Sequence, residues 1–210
     1  MTASRVTGAI AATVLTGWIL QIDQLKNFAP GMIAMNPITA SGLIAASIAL
    51  LLRQAPEASR KNTILGQALA AGVIVMGASF LLLSHDPVAA RWLTLPPLSD
   101  GSFVETNGSR ISGSFVLIGA SLLALNYKTA SGFRPGEPAC AVTAVIAILS
   151  LVAYSHFLTG FYTTATYTPA SLLTSVCLFS LPPEFSSLAP TVELLQLSSA
   201  KRPLECWPDV

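Results

Sequence analysis

Thr63-Ile64-Leu65-Gly66-Gln67-Ala68-Leu69-Ala70-Ala71-Gly72-Val73-Ile74-Val75-Met76-Gly77-Ala78-Ser79-Phe80-Leu81-Leu82-Leu83-Ser84 contains no Asp, Glu, Lys or Arg. A bilayer core of about 30 Å is crossed by about 20 mostly apolar helical residues, and this run supplies them. In lipid every backbone N–H and C=O must be bonded within its own segment, so an uninterrupted apolar run of this kind is a helix. The alternation of a membrane β-barrel strand is missing from it. Further charge-free runs lie on either side: Val6 to Ile22, Pro37 to Leu52 (stopped by Arg53), Ile111 to Tyr127, Ala139 to Phe157, and a weaker one from Tyr162 to Leu181. The chain is therefore expected to be an all-α, polytopic membrane helix bundle of six transmembrane helices in three hairpins. Residues 1–181 form that bundle, and 182–210 form a cytoplasmic tail.

Composition points the same way. Apolar residues make up 52% of the chain and charged residues 10%, against about 25% charged in soluble domains. The net charge of +1 leaves no footprint for nucleic acid. Cys140, Cys177 and Cys206 form no C-x-x-C pair and show no metal spacing, and the first two sit in apolar runs as small packing residues. Arg5 followed by Ala9 to Leu20 has the outline of a signal peptide. The run ends, however, in Trp18-Ile19-Leu20-Gln21-Ile22-Asp23, with no small-x-small cleavage site, so an uncleaved first span is expected.

Loop charges set the expected orientation. With six spans and the N-terminus inside, Arg5, Arg53, Arg60, Lys61, Lys128, Arg134, Lys201 and Arg202 fall inside, and Lys26, Arg91 and Arg110 outside, eight against three. Without the sixth crossing the balance is six against five. The positive-inside rule thus favours six spans with both termini in the cytoplasm of a bacterial inner membrane. Trp18, Phe28, Tyr154, Phe157, Phe161, Tyr162 and Tyr167 collect near the predicted outer ends, where amphipathic rings prefer the headgroup level. The longest outer loop, about His85 to Arg110, is broken by Pro87, Pro96, Pro97, Gly101 and Gly108. It has room for a short surface helix over Val88 to Leu95.

Three segments repeat a local design: Met35-Asn36-Pro37-Ile38-Thr39-Ala40-Ser41, Gly108-Ser109-Arg110-Ile111-Ser112-Gly113-Ser114 and Tyr167-Thr168-Pro169-Ala170-Ser171-Leu172-Leu173-Thr174. Each opens an even-numbered helix at its outer end. Pro37 and Pro169 suit a first helical turn, Asn36 and Thr168 suit a cap, and small residues let helices approach in lipid. Asn36-Pro37-Ile38-Thr39-Ala40, the helix Phe115-Val116-Leu117-Ile118-Gly119-Ala120-Ser121-Leu122-Leu123, and Thr168-Pro169-Ala170-Ser171-Leu172-Leu173-Thr174 resemble the N-terminal membrane-associated sensor region of bacterial sensor histidine kinases and diguanylate cyclases. The resemblance covers about residues 1–181. The second copy departs from it, with Ser112-Gly113-Ser114 in place of a Thr-Ala pair. No kinase His box or GGDEF sequence is present. The resemblance implies a non-enzymatic sensory or interaction module with its output domain absent. Candidate ligand-binding residues are Thr39, Ser41, Ser112, Ser114, Ser171 and Thr174. Partners would be the lipid bilayer and a second copy or a signalling protein.

Little else in the chain carries chemistry. His85 and His156, with Asp86, are the available haem or metal ligands, and no bound cofactor is expected. A Ser nucleophile elbow, H-E-x-x-H, a P-loop and a Rossmann fingerprint are missing. A small transporter or channel subunit is the alternative. Its spans would offer Gln67, hydroxyls and small residues instead of the buried charge of coupled transporters, with Gly66, Gly72 and Gly77 leaving a broken helix open. The sixth run stops at Pro182-Pro183. A frameshift near Leu181 that shortened a longer sensor is one expectation for the tail, and an ordinary irregular tail with a short surface helix over Thr191 to Ala200 is the other.

Overall fold

The computed structural model describes residues 2–26, 32–54, 60–83, 109–125, 127, 135–158 and 170–182. Its regular structure is helical: α1 Thr2–Ile19, α2 Asp23–Lys26, α3 Pro37–Gln54, α4 Arg60–Leu83, α5 Ser109–Ala124, α6 Gly136–Leu158 and α7 Leu172–Pro182. Among the described residues there is no β-strand. Three helices are long and apolar enough to cross a membrane: α3, α4 and the Gly136–Ser155 part of α6, with mean hydropathies of 1.3, 2.0 and 2.0. The apolar stretches of α5 and α7 are shorter, Ile111–Ala124 and Leu172–Pro182. The expected surface helix at Val88 to Leu95 and the tail from 183 onward lie outside the described residues.

The helices run up and down, and named contacts fix their directions. Early α1 meets late α3, where Gly8 faces Ser47, and late α1 meets the start of α3, where the Trp18 indole N–H donates to the Met35 carbonyl at 3.0 Å. Late α3 meets early α4 at Arg53 and Gly66. Early α3 meets late α4 at Gly42 and Met76. Gly77 on α4 faces Ser112 and Phe115 on α5, and Gly119 on α5 faces Ala70 and Ile74 on α4. Gly136, opening α6, lies against Ser121 of α5. Tyr154, near the end of α6, brings its hydroxyl to the backbone at Ile33. Thr7 of α1 bonds Ser180 of α7 at 2.8 Å. The bundle thus has a basic end, with Arg5, Arg53, Arg60 and Lys61, and a cap end, with Trp18, Asn36 and Ser171.

Burial along the helices is reversed relative to a soluble bundle. On α6 the buried positions are Cys140, Thr143, Ala147, Ser150 and Tyr154, spaced three and four apart as one seam facing its neighbours. The other face exposes Val142, Val145, Ile148, Leu149 and Val152. On α4 only Gly66, Ala70, Val73 and Gly77 are buried. Small residues thus hold the helices together while branched apolar ones face outward, the arrangement that suits lipid as solvent. Hydroxyls inside are absorbed by their own helices: Thr143 and Ser150 donate to Ala139 and Ile146 carbonyls at 3.0 and 2.8 Å, and Ser121 to Leu117 at 2.8 Å.

Local sequence explains the helix ends. Asn36 Oδ1 accepts from the Ile38 N–H at 2.9 Å and its carbonyl from the Ala40 N–H at 2.9 Å, a side-chain cap with Pro37 in the first helical position. α1 ends with Gln21 at φ 56° and the Ile22 N–H on the Gly17 carbonyl at 2.9 Å, the bond pattern of a left-handed helix terminus. A side chain at Gly17 would sit 2.6 Å from Leu25 Cβ, so only glycine lets α2 fold back on α1. The sixth helix differs from expectation. It begins at Leu172, capped by Ser171 rather than by Thr168, and at 1.5 Å per residue it is roughly 16 Å long. Ser171, Thr174, Ser175, Cys177, Leu178 and Leu181 are buried while Val176 and Phe179 are exposed, so α7 packs one face against the other helices.

Candidate functional site

The cap end gathers polar groups from successive helices. Phe115 of α5 lies between Gly42 of α3 and Gly77 of α4: a Cβ built on Gly42 would stand 2.9 Å from Phe115 Cε1, and one on Gly77 would stand 3.0 Å from Phe115 Cβ. Thr39 is one turn before Gly42 and Ser112 one turn before Phe115. Because α3 and α5 run parallel, both hydroxyls fall on one level near the cap end, and both are buried. Ser112 Oγ is a buried hydroxyl with no hydrogen-bond partner among the described residues. Ser114 is buried as well.

At the start of α7, Ser171 and Thr174 come together. Their hydroxyls are 2.9 Å apart, and Ser171 Oγ also accepts from the Thr174 N–H at 3.2 Å. The Ser175 N–H bonds the Ser171 carbonyl at 3.0 Å. This is a cap closed by two side chains. Ser41 is placed differently. It is exposed, and its hydroxyl donates to the Ile38 carbonyl at 2.7 Å, turned away from the interior that holds the other five.

A charged knot seals the end of α1. Lys26 is only 2% exposed. Its ammonium sits 2.6 Å from Asp23 Oδ1, 3.4 Å from Gln21 Oε1 and 4.7 Å from the centroid of the Trp18 ring. The Met35 N–H donates to the Lys26 carbonyl at 3.1 Å, and Trp18 reaches the Met35 carbonyl from the other side. A cation excluded from water needs an opposite charge and hydrogen bonds, and here it also has an aromatic face. In the sequence Lys26 is merely an outer-loop positive and Trp18 an interface anchor. The i,i+3 spacing of Asp23 and Lys26 was the available signal, but nothing local shows the indole folding over the ammonium.

Sequence reasoning also missed the hydroxyls deeper in the bundle. Ser47 on α3 and Ser175 on α7 are buried, and their Oγ atoms have no hydrogen-bond partner among the described residues. The Cys140 thiol faces the Ser121 hydroxyl across α5 and α6. The three-four spacing of Cys140, Thr143, Ala147, Ser150 and Tyr154 was legible as a seam. For Ser47 and Ser175 no sequence signal distinguishes them from any small residue in a span.

Among the described residues no three His, Cys, Asp or Glu side chains are grouped to hold an ion. His85 and Asp86 lie outside the described residues, as does the side chain of His156. The arrangement offers hydroxyl donors and acceptors, small-residue surfaces and one sealed ion pair, which suit binding and helix packing. No family model, curated protein or solved structure matches the chain.

Proposed function

We propose that this chain is a non-enzymatic sensory or interaction module of a bacterial inner membrane, like the input region of a signalling kinase or cyclase. The observation that carries the reading is the band of buried hydroxyls at the cap end, Thr39, Ser112, Ser114, Ser171 and Thr174, inside a bundle whose outer surface is apolar. A ligand with hydroxyl or carbonyl groups, or a partner helix, would bond Ser112 and shift α5 against α3. It changes the balance of packings only if it binds one of them better than the other.

In this reading α1, α3, α4, α5, α6 and α7 all lie in crossing segments, α7 being the shortest of them. The basic end faces the cytoplasm, by the eight-to-three distribution of Lys and Arg. Reporter fusions after residue 205 and near Gly101 test it. Cytoplasmic activity from the first and periplasmic activity from the second are expected, and the reverse at either place removes the six-span topology.

The functional test is ligand-dependent protection of purified protein in nanodiscs, read as thermal stabilisation, with Ser112→Ala and Thr39→Val as variants. Stabilisation by a ligand that both variants lose supports the sensory site. A small transporter or channel is the second reading, favoured by the buried hydroxyls of Ser47, Ser112 and Ser175, which have no hydrogen-bond partner among the described residues and would line a polar path. Solute uptake into vesicles by the purified protein would decide for it.

A further inference from the structure

Arg53 stands one turn after Ala49 and one residue before α3 ends at Gln54. Its side chain turns back into the crevice between α3 and α4. A Cβ built on Gly66 of α4 would lie 3.4 Å from Arg53 Nε, 3.7 Å from its Cδ and 3.5 Å from the Ala49 carbonyl oxygen, so the bare backbone of Gly66 leaves room for the arginine stem. Nε and both terminal nitrogens of Arg53 are buried, and none has a hydrogen-bond partner among the described residues. Glu137, the described carboxylate at this end of the bundle, is exposed at the start of α6. The ion pair found among the described residues, Asp23 with Lys26, lies at the other end.

A guanidinium carries five N–H donors and stays charged. Excluded from water it needs an anion and hydrogen bonds, and an ionisable group in a membrane helix marks a site for a charged partner. The surroundings select the anion. Asn62 and Thr63 stand four and three residues before Gly66 and so share its side of α4; both are half-buried. Arg60 and Lys61 flank them and are exposed. Gly66 is roughly 9 Å along the axis from Arg60 at 1.5 Å per residue. An arginine at the end of α3 therefore reaches either inward to Gly66 or outward to the first turn of α4, whose free N–H groups favour an anion. Long charged side chains keep an apolar stem on the protein while the head seeks a polar level. At the end of two spans the abundant oxyanion is phosphate, and basic pockets between membrane helices take phosphate headgroups.

We propose that the α3–α4 mouth binds a phosphate group, with Arg53 drawn out of the crevice as its bidentate ligand, Asn62 and Thr63 as side-chain donors, and Arg60 and Lys61 as flanking charges. The arginine fork matches two phosphate oxygens, and a lysine offers only a point charge. The phosphate belongs to an anionic lipid headgroup or comes from solution. This site lies at the opposite end of the bundle from the hydroxyl band of Thr39 and Ser112 and does not depend on a ligand there.

The test is thermal unfolding of the full chain in dodecyl maltoside, which carries no phosphate, at fixed ionic strength. Dioleoylphosphatidylglycerol, inorganic phosphate or oleate is titrated in. Stabilisation by phosphatidylglycerol and not by inorganic phosphate identifies a lipid headgroup, and stabilisation by inorganic phosphate identifies a free ligand. Arg53→Leu should weaken the apparent affinity about ten- to hundredfold, the range for hydrogen bonds to a charged group. Arg53→Lys should lose less, and Arg5→Gln on α1 should leave the affinity unchanged. Without phosphate, Arg53→Leu should melt no lower than the wild type, because it removes a buried charge that has no counterpart; a structural role for Arg53 would lower it. Stabilisation by neither phosphate, equal stabilisation by oleate, or undiminished affinity in Arg53→Leu overturns the proposal. So does a loss of stability in Glu57→Gln that Arg53→Leu relieves, with no phosphate effect in the wild type, which would assign Arg53 to a carboxylate of this chain.

Discussion

Adding one methyl group to Gly77 should pry α4 from α5, and the same methyl at Gly72 should not. The built Cβ of residue 77 lies 2.7 Å from the Ser112 carbonyl oxygen and 3.0 Å from both Phe115 Cβ and the Val116 nitrogen. Two of these are backbone atoms that no rotamer change can move aside. Ordinary contact begins near 3.4 Å, so the helices must separate by several tenths of an ångström along an interface where Gly119 also sits, 2.8 Å from the Ala70 carbonyl by the same construction. A gap of about 0.5–1 Å forfeits a quarter to a half of each contact's attraction, and overpacking of this kind costs about 1–3 kcal/mol. Glycine-to-alanine also improves helix propensity by about 1 kcal/mol. Gly72→Ala gains that equally, with nothing within 4 Å of its methyl. The difference between the two variants therefore isolates the packing term, with Gly77→Ala less stable by about 1–3 kcal/mol. Reversible unfolding in mixed detergent–SDS micelles, followed by tryptophan fluorescence, measures it. Equal stabilities within about 0.5 kcal/mol, the usual scatter for neutral surface changes, would refute the close α4–α5 contact.

Asp23→Asn should strip Lys26 of its counter-charge while leaving it buried, destabilising the protein by about 2–4 kcal/mol. Lys26→Met, which removes the cation as well, should cost less in the same unfolding assay, and an equal or larger loss would count against the knot. Ser171→Ala should cost about 1 kcal/mol by uncapping α7 and speed hydrogen exchange at the Thr174 amide. Ser171→Asp, which keeps an acceptor, should retain slow exchange there. Ala147→Leu on the buried seam of α6 should destabilise by about 1–3 kcal/mol, while Val145→Leu on its exposed face should stay within about 0.5 kcal/mol.

Much of this molecule is legible without coordinates, because long charge-free apolar runs leave few choices. Charge-free runs of sufficient length must be helices, and those read at Pro37 to Leu52, Thr63 to Ser84 and Ala139 to Phe157 return as α3, α4 and α6 with ends moved by a few residues. Asn36 and Pro37 identify a helix start because capping is a contact between near neighbours in sequence. So is the Ser171–Thr174 cap, although Thr168 carried the same local signature and only the folded chain chose between them. What depends on distant residues had to wait for the tertiary structure. Gly42, Gly77 and Gly119 are contact glycines while Gly72 and Gly113 face open space, and nothing adjacent in sequence tells them apart. Ser41 and Thr39 belong to one motif, yet a helix turns them to opposite environments, one exposed and one buried. Lys26 is hidden because Trp18, Gln21, Asp23 and Met35 converge on it from both sides of a turn. In lipid the hydrophobic effect decides which segments become helices, but it does not choose between helix faces. That choice falls to close packing and hydrogen bonding between helices, which exist only once the helices have met.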